Sequence, residues 1–198
     1  MLREDLRQII ELTPRVDAVA IGPGLGDASG TLEAIREAVR GIPLPMVLDA
    51  DAIKAVAADP KCLVGKKAVL TPHSREFQLL SGKALPNAPE ERAEMVRETA
   101  KALGVTILLK GHVDIVTDGV RLKFNYTGNP GMTAGGTGDV LCGLTAGLIA
   151  KGMAPYDAAR LAAFTNGAAG DLAFEEKSYG LTSVDVANQL GRVLAKFL

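Results

Sequence analysis

Short apolar runs alternate along the chain with stretches in which apolar side chains recur every three or four places, the pattern of strands followed by amphipathic helices. Met1 to Leu12, with Leu2, Leu6, Ile9 and Ile10 on one side, predicts a short helix ended by Thr13-Pro14. Val16 to Ile21 predicts a strand closing in Gly22-Pro23-Gly24-Leu25-Gly26, followed by a helix from Gly30 to Arg40. Met46 to Asp49 is the next strand, then Ala50-Asp51-Ala52 and a helix to about Ala58. Ala68-Val69-Leu70 is a third strand leaving through Thr71-Pro72-His73, with Ser74 placed to cap a helix through Leu79 and Leu80. A polar linker from Lys83 to Pro89 precedes a helix from Glu90 to Leu103 that turns Ala93, Val96, Ala100 and Leu103 inward. Val105 to Leu109 is the most apolar strand and ends in Lys110-Gly111-His112; Asp114 to Thr117 and Arg121 to Asn125 flank Asp118-Gly119, a hairpin signal. Helices are expected from Thr137 or Gly138 to Lys151, from Tyr156 to Phe174 and from Val184 to Leu198, the last with Thr182, Ser183 and Asp185 as capping candidates. Ala158, Ala159, Ala162, Ala163, Ala168 and Ala169 imply close helix–helix approach.

Strands alternating with helices, then a hairpin, predict an α/β fold with a mostly parallel sheet and an antiparallel hairpin edge. Open sheets of this kind hold ligands outside the carboxyl ends of their strands, and it is there that Gly, Asp, His and Lys recur in this chain. Asp49 and Asp51 follow one strand; capping of the next helix is the favoured role for one of them, with ligand or metal-bound phosphate contact open to the other. His73 and Lys110 follow two more, and a lysine at a strand end is costly to bury without an anion.

The densest chemistry lies between Asn125 and Gly147. Gly128, Pro130, Gly131, Gly135, Gly136 and Gly138 forbid a regular element, while Val140, Leu141, Leu144, Leu148 and Ile149 recur at helical spacing directly afterwards. A glycine-rich loop feeding a helix start presents unpaired N–H groups and a partial positive charge, which favours phosphate. Asp139 stands at that mouth. It is either a general base taking a proton from a hydroxyl that attacks a phosphoryl group, or an ordinary first-turn acid complementing the helix dipole.

Composition narrows the field. With 198 residues, 47% hydrophobic, the chain suits one well-buried domain, and a net charge of -1 gives no electrostatic reason to expect nucleic acid or an anionic membrane. No run approaches ~18 uninterrupted apolar residues, so a cytoplasmic protein is expected. Two histidines exclude a multi-histidine metal site, no metal is expected to be held by protein ligands alone, and Cys62 and Cys142 have no ligand or CxxC spacing.

Five ordered segments carry a further signal: Ile21 to Gly26, Leu48 to Ala52, Leu70 to Phe77, Leu109-Lys110-Gly111, and Gly128 to Leu141 with its Asn129-Pro130-Gly131 turn. In this order they resemble the motifs of the ADP- or ATP-dependent NAD(P)H-hydrate dehydratase family of the ribokinase-like superfamily. The resemblance implies a three-layer αβα domain over residues 1–198, N-terminally truncated relative to the family, and repair of hydrated NADH or NADPH. The nucleotide's terminal phosphoryl would pass to the C6 hydroxyl of the hydrated ring, and loss of phosphate would restore the double bond. By the same resemblance Asp139 is the catalytic residue, and Gly24, His73 and Asp139 meet the hydrated dinucleotide. Lys110, Gly111, His112, Val113, Asp114, Gly135, Gly136, Thr137 and Gly138 line the adenine nucleotide, with Mg²⁺ supporting the phosphates. Asp49, Asp51 and Asn129 are further candidates; Asp114 stands where the family often has Thr. The family normally begins with further βα units, so an exposed sheet edge and self-association, a tetramer included, or nucleotide binding without full turnover, are expectations too. A small-alcohol kinase of the hydroxymethylpyrimidine or hydroxyethylthiazole type and a catalytically silent nucleotide-binding module are the alternatives.

Overall fold

In the computed structural model, which describes residues 5–196, strand order follows sequence order. The strands β1 (Val19–Ile21), β2 (Met46–Leu48), β3 (Ala68–Leu70) and β4 (Thr106–Leu109) are parallel, and β5 (Asp114–Thr117) and β6 (Leu122–Asn125) continue the sheet antiparallel. Parallel neighbours joined in sequence order by right-handed crossovers must place every crossover on one face. That face carries α1 (Asp5–Leu12), α2 (Ser29–Gly41), α3 (Asp51–Ala58), α4 (Ser74–Ser81) and α5 (Pro89–Leu103). The other face is covered only after the hairpin, by α6 (Thr137–Ala150) and α7 (Pro155–Lys177), with α8 (Ser183–Leu194) packed on α7.

The period of two in each strand separates the cores. Met46, Leu48, Leu70, Ile107, Leu109 and Ile115 join the crossover helices, whereas Val47, Val69, Leu108 and Val116 join α6 and α7. Burial on both faces explains why these strands read as unbroken apolar runs. A third cluster, built on Ala169, Ala173, Leu181, Val186 and Val193, fixes α8.

The α/β class, the hairpin edge and the three layers stand as the sequence predicts. The hairpin loop spans residues 118–121, and Asp118 Oδ1 accepts N–H groups from Val120 and Arg121. Thr182 caps α8 in a reciprocal box with Asp185. Two expectations need correction. The first strand starts at Val19, because Thr13–Arg15 forms a 3₁₀ turn and leaves Val16 exposed. Finally, α4 is capped not by Ser74 but by His73. Leu2 and Leu198, assigned to terminal helices from the sequence, lie outside the described residues. No helix among the described residues is long and apolar enough to cross a membrane.

Candidate active site

At the carboxyl end of β1 the chain passes directly over the end of β2. Gly22 has φ +136°, and a Cβ there would lie 1.7 Å from the carbonyl oxygen of Asp49, so only glycine permits the crossing. The next residues turn back and are held by Asp51, whose Oδ2 accepts the Gly26 N–H at 2.8 Å. Lys54 Nζ bridges Asp51 at 2.8 Å and Asp27 at 3.1 Å. The Lys54 hydrogen bond, opposed by burial, holds the Asp51 carboxyl below its usual range.

Between the two acids Ala50 has φ +47°, a conformation L residues rarely adopt, and it sends their side chains to different partners. Neither carboxylate caps α3, contrary to the role favoured from the sequence, because the cap residue is Ala50. Asp51 is used to fasten the glycine loop. Asp49, only 2% exposed, instead pairs through Oδ1 with Lys110 Nζ at 2.8 Å.

Lys110 reaches that point because its own N–H donates to Pro72 O at 2.8 Å, which runs the exits of β3 and β4 side by side. His73 and Lys110 therefore stand on one edge of the sheet. The His73 Nδ1 accepts the N–H groups of Arg75 and Glu76 at 3.1 and 3.2 Å, while Glu76 Oε2 accepts the His73 N–H at 2.9 Å. The imidazole is thus oriented by capping α4, with half its surface exposed.

The glycine-rich loop brings the start of α6 onto the same place. Asn129 caps a 3₁₀ turn over Pro130–Met132, and Asp171 of α7 accepts the Gly128 N–H at 3.1 Å and Asn129 Nδ2 at 2.8 Å. Gly136 occupies the α6 cap position with φ +89°, and Thr137 Oγ1 donates to Met132 O and Ala134 O. A Cβ on Gly138 would lie 3.3 Å from Lys110 Nζ and 3.8 Å from Asp49 Oδ2. Helix amides, a lysine and a buried carboxylate thus converge. Asp139 follows on the exposed side of the first turn, and one turn on the Cys142 thiol is pushed up to about 12 by burial, with Asp49 and Asp139 adding to the shift and Lys110 opposing it.

Beside this convergence lies a cavity of about 400 Å³. Of the residues singled out in the sequence, Lys110, Gly111, His112, Asp114, Asn129, Thr137 and Gly138 line it. Val113, Gly135 and Gly136 do not, and neither do Asp49, Asp51, Gly24, His73 or Asp139. The Asp114 carboxylate accepts the Gly111 N–H and Asn125 Nδ2, each at 3.0 Å; burial raises its pKa against both hydrogen bonds. The far wall was missed from the sequence: Thr127, Met132, Leu141, Ala163, Asn166 and Gly167 line it. Its one local sign is Gly167, where a Cβ would lie 2.2 Å from Thr127 Oγ1. Among the described residues, no group of three or more His, Cys, Asp and Glu side chains is placed to hold a metal ion.

A family model described as NAD(P)H-hydrate dehydratase matches residues 1–192. The chain belongs to that family. It is 45% identical over 192 residues to a bifunctional NAD(P)H-hydrate repair enzyme of Pyrobaculum aerophilum, a match covering 96% of this chain and 38% of that protein. It is 39% identical over 184 residues to an ADP-dependent (S)-NAD(P)H-hydrate dehydratase of Cenarchaeum symbiosum, covering 92% of this chain and 63% of that one. Among solved structures, the ADP/ATP-dependent NAD(P)H-hydrate dehydratase of Bacillus subtilis, co-crystallised with ATP and Mg²⁺ and soaked with CoA, superimposes with a TM-score of 0.78 at 29% identity. That match covers 92% of this chain and 67% of the other. For an NAD(P)H-hydrate dehydratase family member the fold is therefore the ribokinase-like one expected, and the chain spans little more than a third of the length of the first bifunctional relative.

Proposed function

We propose that this chain catalyses, or forms the catalytic unit for, the ADP- or ATP-dependent dehydration of hydrated NADH or NADPH. The observation that carries the proposal is the meeting of the α6 N-terminus with Lys110 beside a cavity, with Asp139 on the adjoining open turn. The N–H groups at residues 136–138 and the Lys110 ammonium stabilise charge on a transferring phosphoryl group, and the cavity holds the rest of the nucleotide. Asp139 takes the proton of the C6 hydroxyl. Its oxygen attacks phosphorus as the bond to the nucleotide breaks, releasing AMP from ADP or ADP from ATP. The ring nitrogen then expels the C6 phosphate while C5 loses a proton, restoring the double bond. Gly24 and His73, on the open side of the same edge, contact the dinucleotide.

The donor set fits Mg²⁺, which takes oxygen ligands and is commonly held by one or two carboxylates together with substrate phosphates. Asp49 is the carboxylate beside Gly138 that would face such an ion, and the nucleotide's phosphates would supply further oxygens. When bound, the ion would neutralise phosphate charge. Everything else is done by the chain's own groups.

Incubation with hydrated NADH, Mg²⁺ and ADP or ATP is expected to restore the absorbance of reduced nicotinamide. Asp139→Asn should slow that recovery by about 10²- to 10⁴-fold, the usual contribution of a general base, with ADP affinity little changed. Nucleotide binding without recovery in the wild type overturns the dehydration reading; phosphorylation of a vitamin-precursor alcohol replaces it with a kinase.

A further inference from the structure

Asp114 is a costly residue for the wall it stands in. Its carboxylate lines the cavity, and the donors that hold it are neutral: the Gly111 N–H on Oδ1 and Asn125 Nδ2 on Oδ2. Burial pushes its pKa up, with both hydrogen bonds and the Lys110 charge opposing. A carboxyl whose folded-state pKa is raised costs the fold stability once it ionises; the cost is absent below the unfolded value of 3.8 and complete above the folded one. What the ionised form does is visible behind it. Asn125, at the end of β6, is 9% exposed and does not line this cavity. Besides meeting Asp114, its Nδ2 donates to Ala163 O of α7 at 3.3 Å, and its Oδ1 lies 2.9 Å from Thr127 Oγ1, at the entry to the glycine-rich loop. Thr127 Oγ1 is in turn 3.1 Å from Phe164 O. Gly111, Thr127 and Ala163, on three separate segments, all line the cavity.

We infer that Asp114 is a positioning residue: through Asn125 its carboxylate fixes the β4 exit against α7 and the glycine-rich loop, so that the cavity walls are set before a nucleotide enters. This rests on the nucleotide-dependent reading above and requires no contact between Asp114 and the nucleotide. Both partners of Asp114 are donors, so only the ionised form accepts from each of them; a neutral acid or an amide gives one bond up. Lys110 and His112, on the β4 exit, are the other titratable groups lining the cavity, while β6 and α7 face Asp114 with the uncharged Asn125 amide and Ala163 carbonyl.

ADP titration by calorimetry and urea melts of the full chain, carrying Asp114→Asn, Asn125→Ala or both, test the assignment. Each single variant should weaken ADP about tenfold, roughly one hydrogen bond, and the double variant no more than either, since one connection is cut once. Asp114→Asn should be at least as stable as wild type at pH 7, because it removes a buried charge. Asn125→Ala with ADP affinity within about twofold of wild type would mean that Asp114 acts by direct contact. That result, losses that multiply in the double variant, or an Asp114→Asn less stable than wild type at pH 7 overturns the inference. If Asn125→Ala does not fold, the pH series decides: the wild-type advantage over Asp114→Asn in ADP affinity should shrink as pH falls from about 8 toward 3.8 through the folded pKa, and a constant advantage overturns the inference. Wild-type protein whose ADP binding shows these coupled losses but that never restores reduced nicotinamide sinks the dehydration reading and leaves this one standing; wild-type protein that binds no ADP sinks both.

Discussion

The two sides of the Asp49–Lys110 pair are built differently. On one side the β4 exit, the glycine-rich loop and α7 enclose a cavity whose walls are all supplied by the described residues. On the other, Gly24, His73 and Asp139 are exposed and do not line that cavity. The closed side has its groups fastened by bonds between separate elements: Asp49 to Lys110, Asp171 to Gly128 and Asn129, Asp114 to Asn125. On the open side His73 is held within the first turn of α4, and Asp51 reaches back 25 residues to the Gly26 N–H. On the proposed reading, nucleotide recognition is preorganised by packing, while acceptor recognition depends on a few exposed groups.

The sharpest way to break that contrast is at the pair itself. Lys110→Met leaves Asp49 buried without its counter-charge and should cost about 3 kcal/mol of stability in urea melts, together with most ADP affinity. The double variant Asp49→Asn with Lys110→Met removes the orphaned charge. It should regain most of the stability and none of the ADP affinity. Recovery of both would mean that the ion pair serves the fold alone.

These expectations also mark what the sequence could and could not disclose. Gly22, the hairpin at Asp118 and the loop-to-helix junction at Gly136–Gly138 were legible because each is dictated by neighbouring residues: a required positive φ, an Asx turn, a helix start. The convergence of His73 and Lys110 on one edge followed from the parallel pattern. The Asp49–Lys110 bond was not legible, since its partners lie 61 residues apart and only the sheet brings them together. His73 misled for a different reason: histidine is an uncommon cap, so Ser74 looked the better candidate until Nδ1 was seen to take two N–H groups. The α7 wall was hidden in an alanine-rich stretch whose composition speaks for helix packing, and Asn166 carries no local mark.

A smaller effect separates the loop's anchor from its chemistry. Asp171→Ala leaves the Gly128 N–H and Asn129 Nδ2 without their acceptor, which should lower stability by about 2 kcal/mol and loosen the turn that lines the cavity. ADP should bind several-fold more weakly in calorimetry, and the rate at saturating nucleotide should change little. A large fall in that saturated rate with unchanged affinity would place Asp171 in the chemistry.

The open side yields the smallest change, and it carries a pH signature. Asp51 has a folded-state pKa below its unfolded value, chiefly through the Lys54 hydrogen bond, so its contribution is fully present above the unfolded value of 3.8 and is lost as pH falls through the folded one. Asp51→Asn should therefore lower stability by roughly 1 kcal/mol at pH 7, and the gap between variant and wild type should close when urea melts are repeated below pH 3.8. The glycine loop is released with it, because the Gly26 N–H keeps a weaker neutral acceptor. If Gly24 meets the dinucleotide, KM for the hydrated cofactor rises while ADP affinity stays fixed. A change in ADP affinity of the same size would mean that the two sides of the edge are mechanically one.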